Sequence, residues 1–384
     1  MSNITRYRTY LVSFVQLILF IPFYSQGFIG ADWDSYASYA SSYLINIKDV
    51  YIPSRPPGFP FFEYATSYIV SFGISSILIF TFVFLVLTNF VVDKLFYKNN
   101  YNDYLYFALL LSPILLISAF SIIDYTVGLF FGFSAILVLL NKKNPELLFA
   151  FLVVLACATR LSNLIFLLAG IYILHKKGSS VYKVLSTIFV VVLSLGFIYY
   201  PAYNLADGLC FLTLTNTDHS LYGRLGRFFY KQTYLLGIPA SLLIIWFLIK
   251  ERKEFYLIFF QRLVPYSVIF VLFQLSFLRL PTEEGHLIPA LFSFFIMLSY
   301  IKIPTRTQVM VFILVFTSNF AYLDLFDFDV PNHVQKVEFA PRIESGLLVK
   351  DYQERAKKAV KEDFHIQNAV TQLVSSWSDG GPNC

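Results

Sequence analysis

Long apolar runs separated by short polar breaks make up most of the chain. A helix needs about 20 apolar residues to cross a bilayer, and runs of this kind predict roughly eleven spans. The predicted spans cover residues 8–25, 65–92, 104–122, 125–140, 147–160, 162–175, 184–201, 234–250, 256–278, 286–301 and 308–323. The fifth and sixth are short enough to tilt or re-enter. This pattern predicts an all-α polytopic membrane protein whose transmembrane domain covers residues 1–323.

The break after the first apolar run is the longest one before the tail, and it covers residues 26–64. Its run from Ala37 to Leu44 predicts a short helix lying along the membrane interface, with one apolar and aromatic side. Four prolines between residues 53 and 60 exclude regular helix after it and hold the chain extended. We therefore expect a long first outer loop that presents polar side chains in a fixed geometry.

Two further polar stretches complete the predicted organisation. Residues 202–233 form a second outer loop of mixed charge. Residues 324–384 form a short soluble tail, in which the pattern from Lys350 to Trp377 is typical of a helix. No internal repeat is evident, which weakens the interpretation as an inverted-repeat transporter.

Basic residues cluster in alternate breaks and predict the orientation of the chain. They are Arg6, Arg8, Lys94, Lys98, Lys142, Lys143, Lys176, Lys177, Lys183, Lys250, Arg252, Lys253, Lys302 and Arg306. Cells retain short basic loops on the cytoplasmic side of the membrane. The N terminus is therefore predicted to be cytoplasmic. The first long loop and the tail then lie outside the plasma membrane, or in the lumen of the endoplasmic reticulum.

Composition agrees with this class of protein. The chain is 57% hydrophobic and 14% charged, with a mean hydropathy of +0.64, which excludes an ordinary soluble domain. A net charge of +5 is modest and scattered, so nucleic acid is not an expected partner. Three cysteines, far apart in the sequence, do not indicate a disulfide framework.

The first outer loop carries the strongest candidates for chemistry, namely Asp32, Asp34, Arg55 and Glu63. Carboxylates beside a bilayer cost solvation free energy unless they lie in an aqueous, functional pocket. Asp32 lies closest to the first span and is the predicted general base. Asp34 could share that role or bind a divalent cation. The alternative is a solvated loop in which Asp34 caps the following helix.

Three later positions on the predicted outer side extend this candidate site. Arg160 lies between two short apolar runs where basic residues are sparse, and its planar guanidinium suits a phosphate, with Asn163 as a second donor. Asp124 could complete the acidic site. The alternatives are an Arg160 that extends to the lipid headgroups and an Asp124 that only forms a turn. Arg55 could likewise bind a phosphate or only lie near anionic headgroups.

A late outer break adds Arg279, Glu283, Glu284 and His286. Arg279 and His286 could hold a phosphate, with Glu283 or Glu284 fixing them by pairing, although a solvated hairpin is the simpler alternative. Sequence motifs for ATP hydrolysis, dinucleotide binding, serine hydrolysis and zinc binding are absent.

Together these positions resemble the GT-C class of integral membrane glycosyltransferases, which includes protein mannosyltransferases and aminoarabinose transferases. Members carry acidic residues in a long first outer loop, matched here by Asp32 and Asp34, and then a basic residue with a Pro-Pro element, matched by Arg55-Pro56-Pro57. A late charged run before a proline is matched by Glu283-Glu284-Gly285-His286-Leu287-Ile288-Pro289, in which His286 replaces the usual arginine. The resemblance is one of pattern and covers residues 8–323.

The resemblance implies an inverting transfer of a sugar from a polyprenyl-phosphate donor to a lipid, glycan or protein acceptor. Asp32, with Asp34, would deprotonate the acceptor. Arg160, Arg279 and Arg55 would stabilise the charge on the leaving phosphate. The alternative function is a lipid-linked glycan flippase or transporter without catalysis. A carrier, however, needs binding groups reachable from both sides of the membrane.

Overall fold

The computed structural model describes residues 3–27, 30, 32–96, 102–205, 221–279, 284–328, 337–361 and 366–378. These residues form eighteen α-helices and one two-stranded antiparallel sheet. The described part of the chain is therefore mostly helical, which confirms the all-α fold class.

The helices of the first half are α1 (Asn3–Gln26), α2 (Trp33–Lys48), α3 (Pro60–Ser67), α4 (Ile74–Leu95), α5 (Asp103–Leu110), α6 (Pro113–Ala119), α7 (Tyr125–Asn141), α8 (Glu146–Thr159), α9 (Ile165–Lys176) and α10 (Val181–Leu205). The elements of the second half are α11 (Leu221–Leu236), α12 (Ile238–Lys250), α13 (Arg252–Leu257), α14 (Val264–Arg279), α15 (Leu287–Ser299), α16 (Thr305–Thr317), β1 (Ala321–Phe328), β2 (Val337–Ser345), α17 (Leu347–Lys361) and α18 (Ile366–Ser378).

The chain divides into two compact units. The first unit contains Met1–Gln16, Asp93–Ile117 and Thr217–Gln353. The second unit contains Leu17–Val92, Ser118–Asn216 and Glu354–Cys384. The predicted site residues of the first outer loop, with Asp124, Arg160 and Asn163, all belong to the second unit.

Three helices in the described residues are long and apolar enough to cross a membrane, over Tyr7–Gln26, Ile74–Leu95 and Val181–Leu205. The number rises to five if each of two strongly bent helix pairs is counted as one span. Other predicted spans correspond to shorter helices, such as α7 with 17 residues and α8 with 14. Both are below the length of about 20 that a perpendicular span requires. The total of about eleven spans therefore stays a prediction.

A buried ion cluster organises the first unit. Arg8, which the sequence pattern placed among the loop cations, is 1% exposed. Its Nε lies 2.7 Å from an Asp93 oxygen and one of its terminal nitrogens lies 3.0 Å from Asp103. The guanidinium carbon also lies 4.6 Å from the centre of the Tyr106 ring. A buried guanidinium needs such compensation, so Arg8 joins the start of α1 to the end of α4 and the start of α5.

The predicted soluble tail begins with a hairpin, which the sequence pattern did not indicate. The last predicted span, 308–323, ends earlier, because α16 stops at Thr317 and β1 starts at Ala321. Strands β1 and β2 pair antiparallel, with Ala321 opposite Ser345 and a register shift between Asp324 and Phe326.

The end of the tail packs against the first outer loop within the second unit. The predicted single helix-like stretch is divided into α17 and α18, with residues 362–365 outside the described residues. Helix α18 packs on α2 through a buried cluster of Ala37, Ala40, Leu44, Ala369, Leu373 and Trp377. Helix α2 was predicted to lie along the interface, with one apolar and aromatic side. It is instead buried on every face over residues 35–42, because α18 and α3 cover it.

Candidate functional site

Asp32 is the N-cap of α2. Its Oδ1 accepts hydrogen bonds from the Ser35 backbone N at 3.1 Å and the Ser35 hydroxyl at 2.9 Å. The solvated-loop alternative placed the cap at Asp34. The helix begins at Trp33, so the capping residue is Asp32. The Asp32 side chain is exposed, and within the described residues its Oδ2 accepts no hydrogen bond. One carboxylate oxygen is therefore held by Ser35, in a side chain that is exposed.

Asp34, two residues after Asp32, forms an ion pair with Arg55. Their side chains are 24% and 22% exposed, so the pair is accessible from one side. The guanidinium carbon of Arg55 lies 5.7 Å from the centre of the Phe59 ring. The segment between α1 and α4 therefore brings Asp34 and Arg55 together.

Glu63 organises residues 51–59, the proline-rich segment that carries Arg55. Its carboxylate is fully buried and accepts hydrogen bonds from the Tyr51 hydroxyl at 2.7 Å, the Ser54 backbone N at 2.8 Å and the Phe59 backbone N at 3.0 Å. These donors lie on both sides of Arg55 in the chain. Prolines deprive the segment of regular hydrogen bonding, so one buried carboxylate fixes its shape.

Burial raises the pKa of the Glu63 carboxyl above its ordinary value, and the hydrogen bonds from Ser54, Tyr51 and Phe59 oppose this only in part. A carboxyl whose pKa is raised by folding stabilises the folded state fully below its unfolded-state pKa, which is about 4.3 for glutamate. This contribution to stability is lost as the pH rises through the folded-state pKa. We expect the melting temperature of the wild type to fall relative to that of Glu63→Gln as pH rises from about 4 to about 8.

Thermal melts of both proteins in the same detergent, over that pH series, test this expectation. The amide introduced by Glu63→Gln leaves one buried donor unsatisfied, which lowers stability by about 1–3 kcal/mol at every pH. The titration of the Glu63 carboxyl is therefore measured by how the difference in melting temperature between the two proteins changes with pH. Exposed Glu354→Gln is the control for removing a carboxyl from the same unit. Parallel curves for the wild type and Glu63→Gln would contradict the expected titration.

A second, buried ion pair joins Asp124 and Arg160. The Nε of Arg160 donates to Oδ2 of Asp124, and one terminal nitrogen donates to Oδ1, each at 2.9 Å. The pair is therefore bidentate. The guanidinium carbon lies 4.1 Å from the centre of the Tyr125 ring and 4.8 Å from that of Phe59. Asp124 directly precedes α7 and Arg160 directly follows α8, so both predicted breaks occur where the sequence placed them.

Phe59 connects the two ion pairs, since its ring faces the guanidinium groups of both Arg55 and Arg160. Gly30, two residues before Asp32, lies close to the turn that precedes α7. A Cβ atom placed on Gly30 would lie 3.7 Å from the Cβ of Ser121 in that turn. The structure therefore gathers the acidic loop, the proline-rich segment and the turn before α7 into one site.

Asn163, predicted as a second anion donor beside Arg160, uses one of its two side-chain N–H groups within the protein. Its side-chain nitrogen donates to the Ala156 carbonyl at 2.9 Å, in the last turn of α8. It lies in a short 3-10 turn between α8 and α9. Asn163 therefore stabilises the break between these helices.

The late outer break lies in the first unit. Arg279 is the exposed last residue of α14, and His286 is buried in the turn that begins α15. Glu284 pairs with Lys231 of α11, where the sequence predicted a pairing with Arg279 or His286. In the sequence, 53 residues separate Glu284 from Lys231, so no local pattern could indicate this pair. Glu283 lies outside the described residues.

Two residues of the tail contact the site, and no sequence pattern indicates them. The indole N–H of Trp377 donates to the Pro53 carbonyl at 2.9 Å. Arg355 is fully buried and donates to the Phe120 carbonyl at 2.8 Å and to the Ser121 hydroxyl. These contacts hold the proline-rich segment and the turn before Asp124 from the other end of the chain.

Replacing Trp377 with phenylalanine is expected to loosen the proline-rich segment. The phenyl ring keeps most of the packing against α2 but cannot donate to Pro53, and a lost hydrogen bond costs about 1 kcal/mol. Hydrogen exchange followed by mass spectrometry should show faster exchange over residues 51–59. Trp33→Phe is the control, because Trp33 is 40% exposed. Unchanged exchange in Trp377→Phe would show that packing alone holds the segment.

Among the described residues, no group of three or more His, Cys, Asp or Glu side chains is arranged to hold a metal ion. A divalent cation bound by Asp32 and Asp34 therefore stays a prediction.

Comparisons with protein-family models, curated proteins and solved structures find no match for this chain. The functional argument therefore depends on the residues and their geometry.

Proposed function

We propose that the chain is an inverting membrane glycosyltransferase of the GT-C kind. It transfers a sugar from a polyprenyl-phosphate donor to a hydroxyl of a lipid, glycan or protein acceptor. The observation that carries this proposal is Asp32, an exposed carboxylate fixed through one oxygen and open at the other, two residues from the accessible Asp34–Arg55 pair. A base and a cation are the two groups that such a transfer needs.

The chemistry follows from this arrangement. Oδ2 of Asp32 accepts the proton of the acceptor hydroxyl while that oxygen attacks the anomeric carbon. The bond between the anomeric carbon and the phosphate oxygen breaks, and the negative charge passes to the lipid phosphate. Arg55 stabilises this charge, with Asp34 orienting its guanidinium. A single displacement inverts the anomeric centre.

Arg160 has a different role in this proposal from the one its sequence context indicated. Two of its nitrogens already bind Asp124, and its guanidinium lies between two aromatic rings. We assign it as a positioning residue that supports Phe59, and Phe59 in turn lies against Arg55. A donor-phosphate role for Arg279 and His286 rests on their sequence context and on the family resemblance.

The proposed topology has about eleven membrane crossings, a cytoplasmic N terminus, and the site and tail outside the plasma membrane or in the lumen of the endoplasmic reticulum. The basic residues of alternate breaks support this orientation. It suits a donor whose lipid lies in the bilayer and whose sugar projects outward.

Purified protein incubated with a panel of radiolabelled polyprenyl-phosphate sugars and a membrane-lipid extract tests the proposal. We expect transfer from at least one donor, with a product whose anomeric configuration, measured by NMR, is opposite to that of the donor. A product of retained configuration would contradict the mechanism. Donor binding without transfer, across the whole panel, would favour the glycan carrier.

A further inference from the structure

A basic pocket lies in the second unit, between the α7–α8 connection and the α9–α10 connection. Its volume is about 420 Å³, and four lysines line it, Lys142, Lys143, Lys177 and Lys183. Glu146 is the one carboxylate among the lining residues. The pocket is thus strongly cationic and is formed by two loops that the sequence places on the cytoplasmic side.

Two of these lysines fix the walls of the pocket. The Lys177 ammonium donates to the Leu140 carbonyl at 3.3 Å and to the Lys142 carbonyl at 3.4 Å, so it joins the two loops. Lys183 lies 3.1 Å from a Glu146 oxygen. Within the described residues, Lys142 and Lys143 have no carboxylate partner. Their charges therefore remain available to an anion.

The backbone adds to this positive potential. Helix α8 begins at Glu146 and helix α10 at Val181, so two helix N termini open beside the pocket. Unpaired N–H groups in the first turn of a helix favour an anion. Ser180 satisfies one of them, because its hydroxyl accepts from the Lys183 backbone N at 3.4 Å.

We propose that this pocket binds a phosphate-bearing anion. Its volume lies within the range of about 300–1,000 Å³ that is typical of small-molecule sites. Anionic lipid headgroups are concentrated at cytoplasmic membrane surfaces, where basic pockets between membrane helices bind them. Orientation of the chain requires lysines on this side but does not require them to surround one cavity. The site is independent of the proposed glycosyl transfer.

The test compares two double variants that remove the same charge. The double variant Lys142→Gln/Lys143→Gln removes two of the four lysine charges that line the pocket and leaves Lys177 and Lys183 in place. Lys176→Gln/Lys250→Gln removes two exposed lysines from the same predicted side, outside the pocket. Titration of detergent-solubilised protein with phosphatidylglycerol, phosphatidylcholine or sodium phosphate, followed by native mass spectrometry and by melting temperature, measures binding. The melting temperatures without ligand establish that each variant folds.

We expect the pocket variant to bind phosphatidylglycerol about 25-fold more weakly, since each lysine contributes about fivefold, and the control variant to bind like the wild type. A shift with phosphatidylglycerol but not with sodium phosphate identifies a lipid headgroup as the anion. Equal shifts with both identify a free phosphate. An equal loss in both double variants, or no loss in either, would overturn the proposal, because binding would then be diffuse or lie elsewhere.

Discussion

Replacing Asp32 with asparagine should lower the rate of sugar transfer by about 10²–10⁴-fold, the usual contribution of a general base. Asparagine is as good an N-cap as aspartate, so its Oδ1 can keep the hydrogen bonds from Ser35 and α2 should not unfold. The amide cannot accept the proton of the acceptor. Steady-state rates of transfer and melting temperatures of the two proteins measure both parts of this result.

The matched control is Asp49→Asn, at the opposite end of α2. Asp49 has a φ of 53°, a left-handed conformation that asparagine also adopts readily, and its side chain is exposed. We expect transfer by Asp49→Asn to equal that of the wild type. Full activity in Asp32→Asn would exclude Asp32 as the base, and a loss confined to Asp34→Asn would move that role to Asp34.

Replacing Asp124 with asparagine should cause the largest loss of stability in the second unit, about 3–5 kcal/mol. The change is nearly isosteric, but it removes the carboxylate charge that the buried Arg160 guanidinium binds through two of its nitrogens. One of the two contacts of 2.9 Å is also lost, because the amide nitrogen cannot accept from Arg160. Unfolding in mixed micelles, followed by titration with a denaturing detergent, measures the change in free energy.

An exposed ion pair provides the comparison. Lys183 and Glu146 lie 3.1 Å apart, but Lys183 is 51% exposed, so Lys183→Met should change stability by less than about 1 kcal/mol. The double variant Asp124→Leu/Arg160→Met removes both buried charges and should recover much of the lost stability. A small loss in Asp124→Asn, similar to that of Lys183→Met, would show that Arg160 is compensated by other groups.

Local features of the site could be predicted from the sequence because they depend on helix ends. Asp124 and Arg160 interrupt apolar runs, and the structure ends or begins a helix beside each. The prolines before residue 60 exclude helix, and α3 begins at Pro60, where a proline fits the first turn. The break before α4 was missed, since the sequence predicted one continuous span over residues 65–92. Helix α3 ends at Ser67 and α4 begins at Ile74, after Gly73 with a φ of 91°.

The sequence by itself determined that the chain is helical and apolar, and that its polar residues are concentrated at the breaks between helices. Those properties follow from backbone hydrogen bonding and hydropathy, which act over a few residues. Only the tertiary structure decided the partners: Arg160 with Asp124, Glu63 with the proline-rich segment, and Trp377 with Pro53 across 324 residues. Ion pairs and buried hydrogen bonds depend on which side chains packing brings within about 3 Å of each other, and hydropathy does not encode that choice.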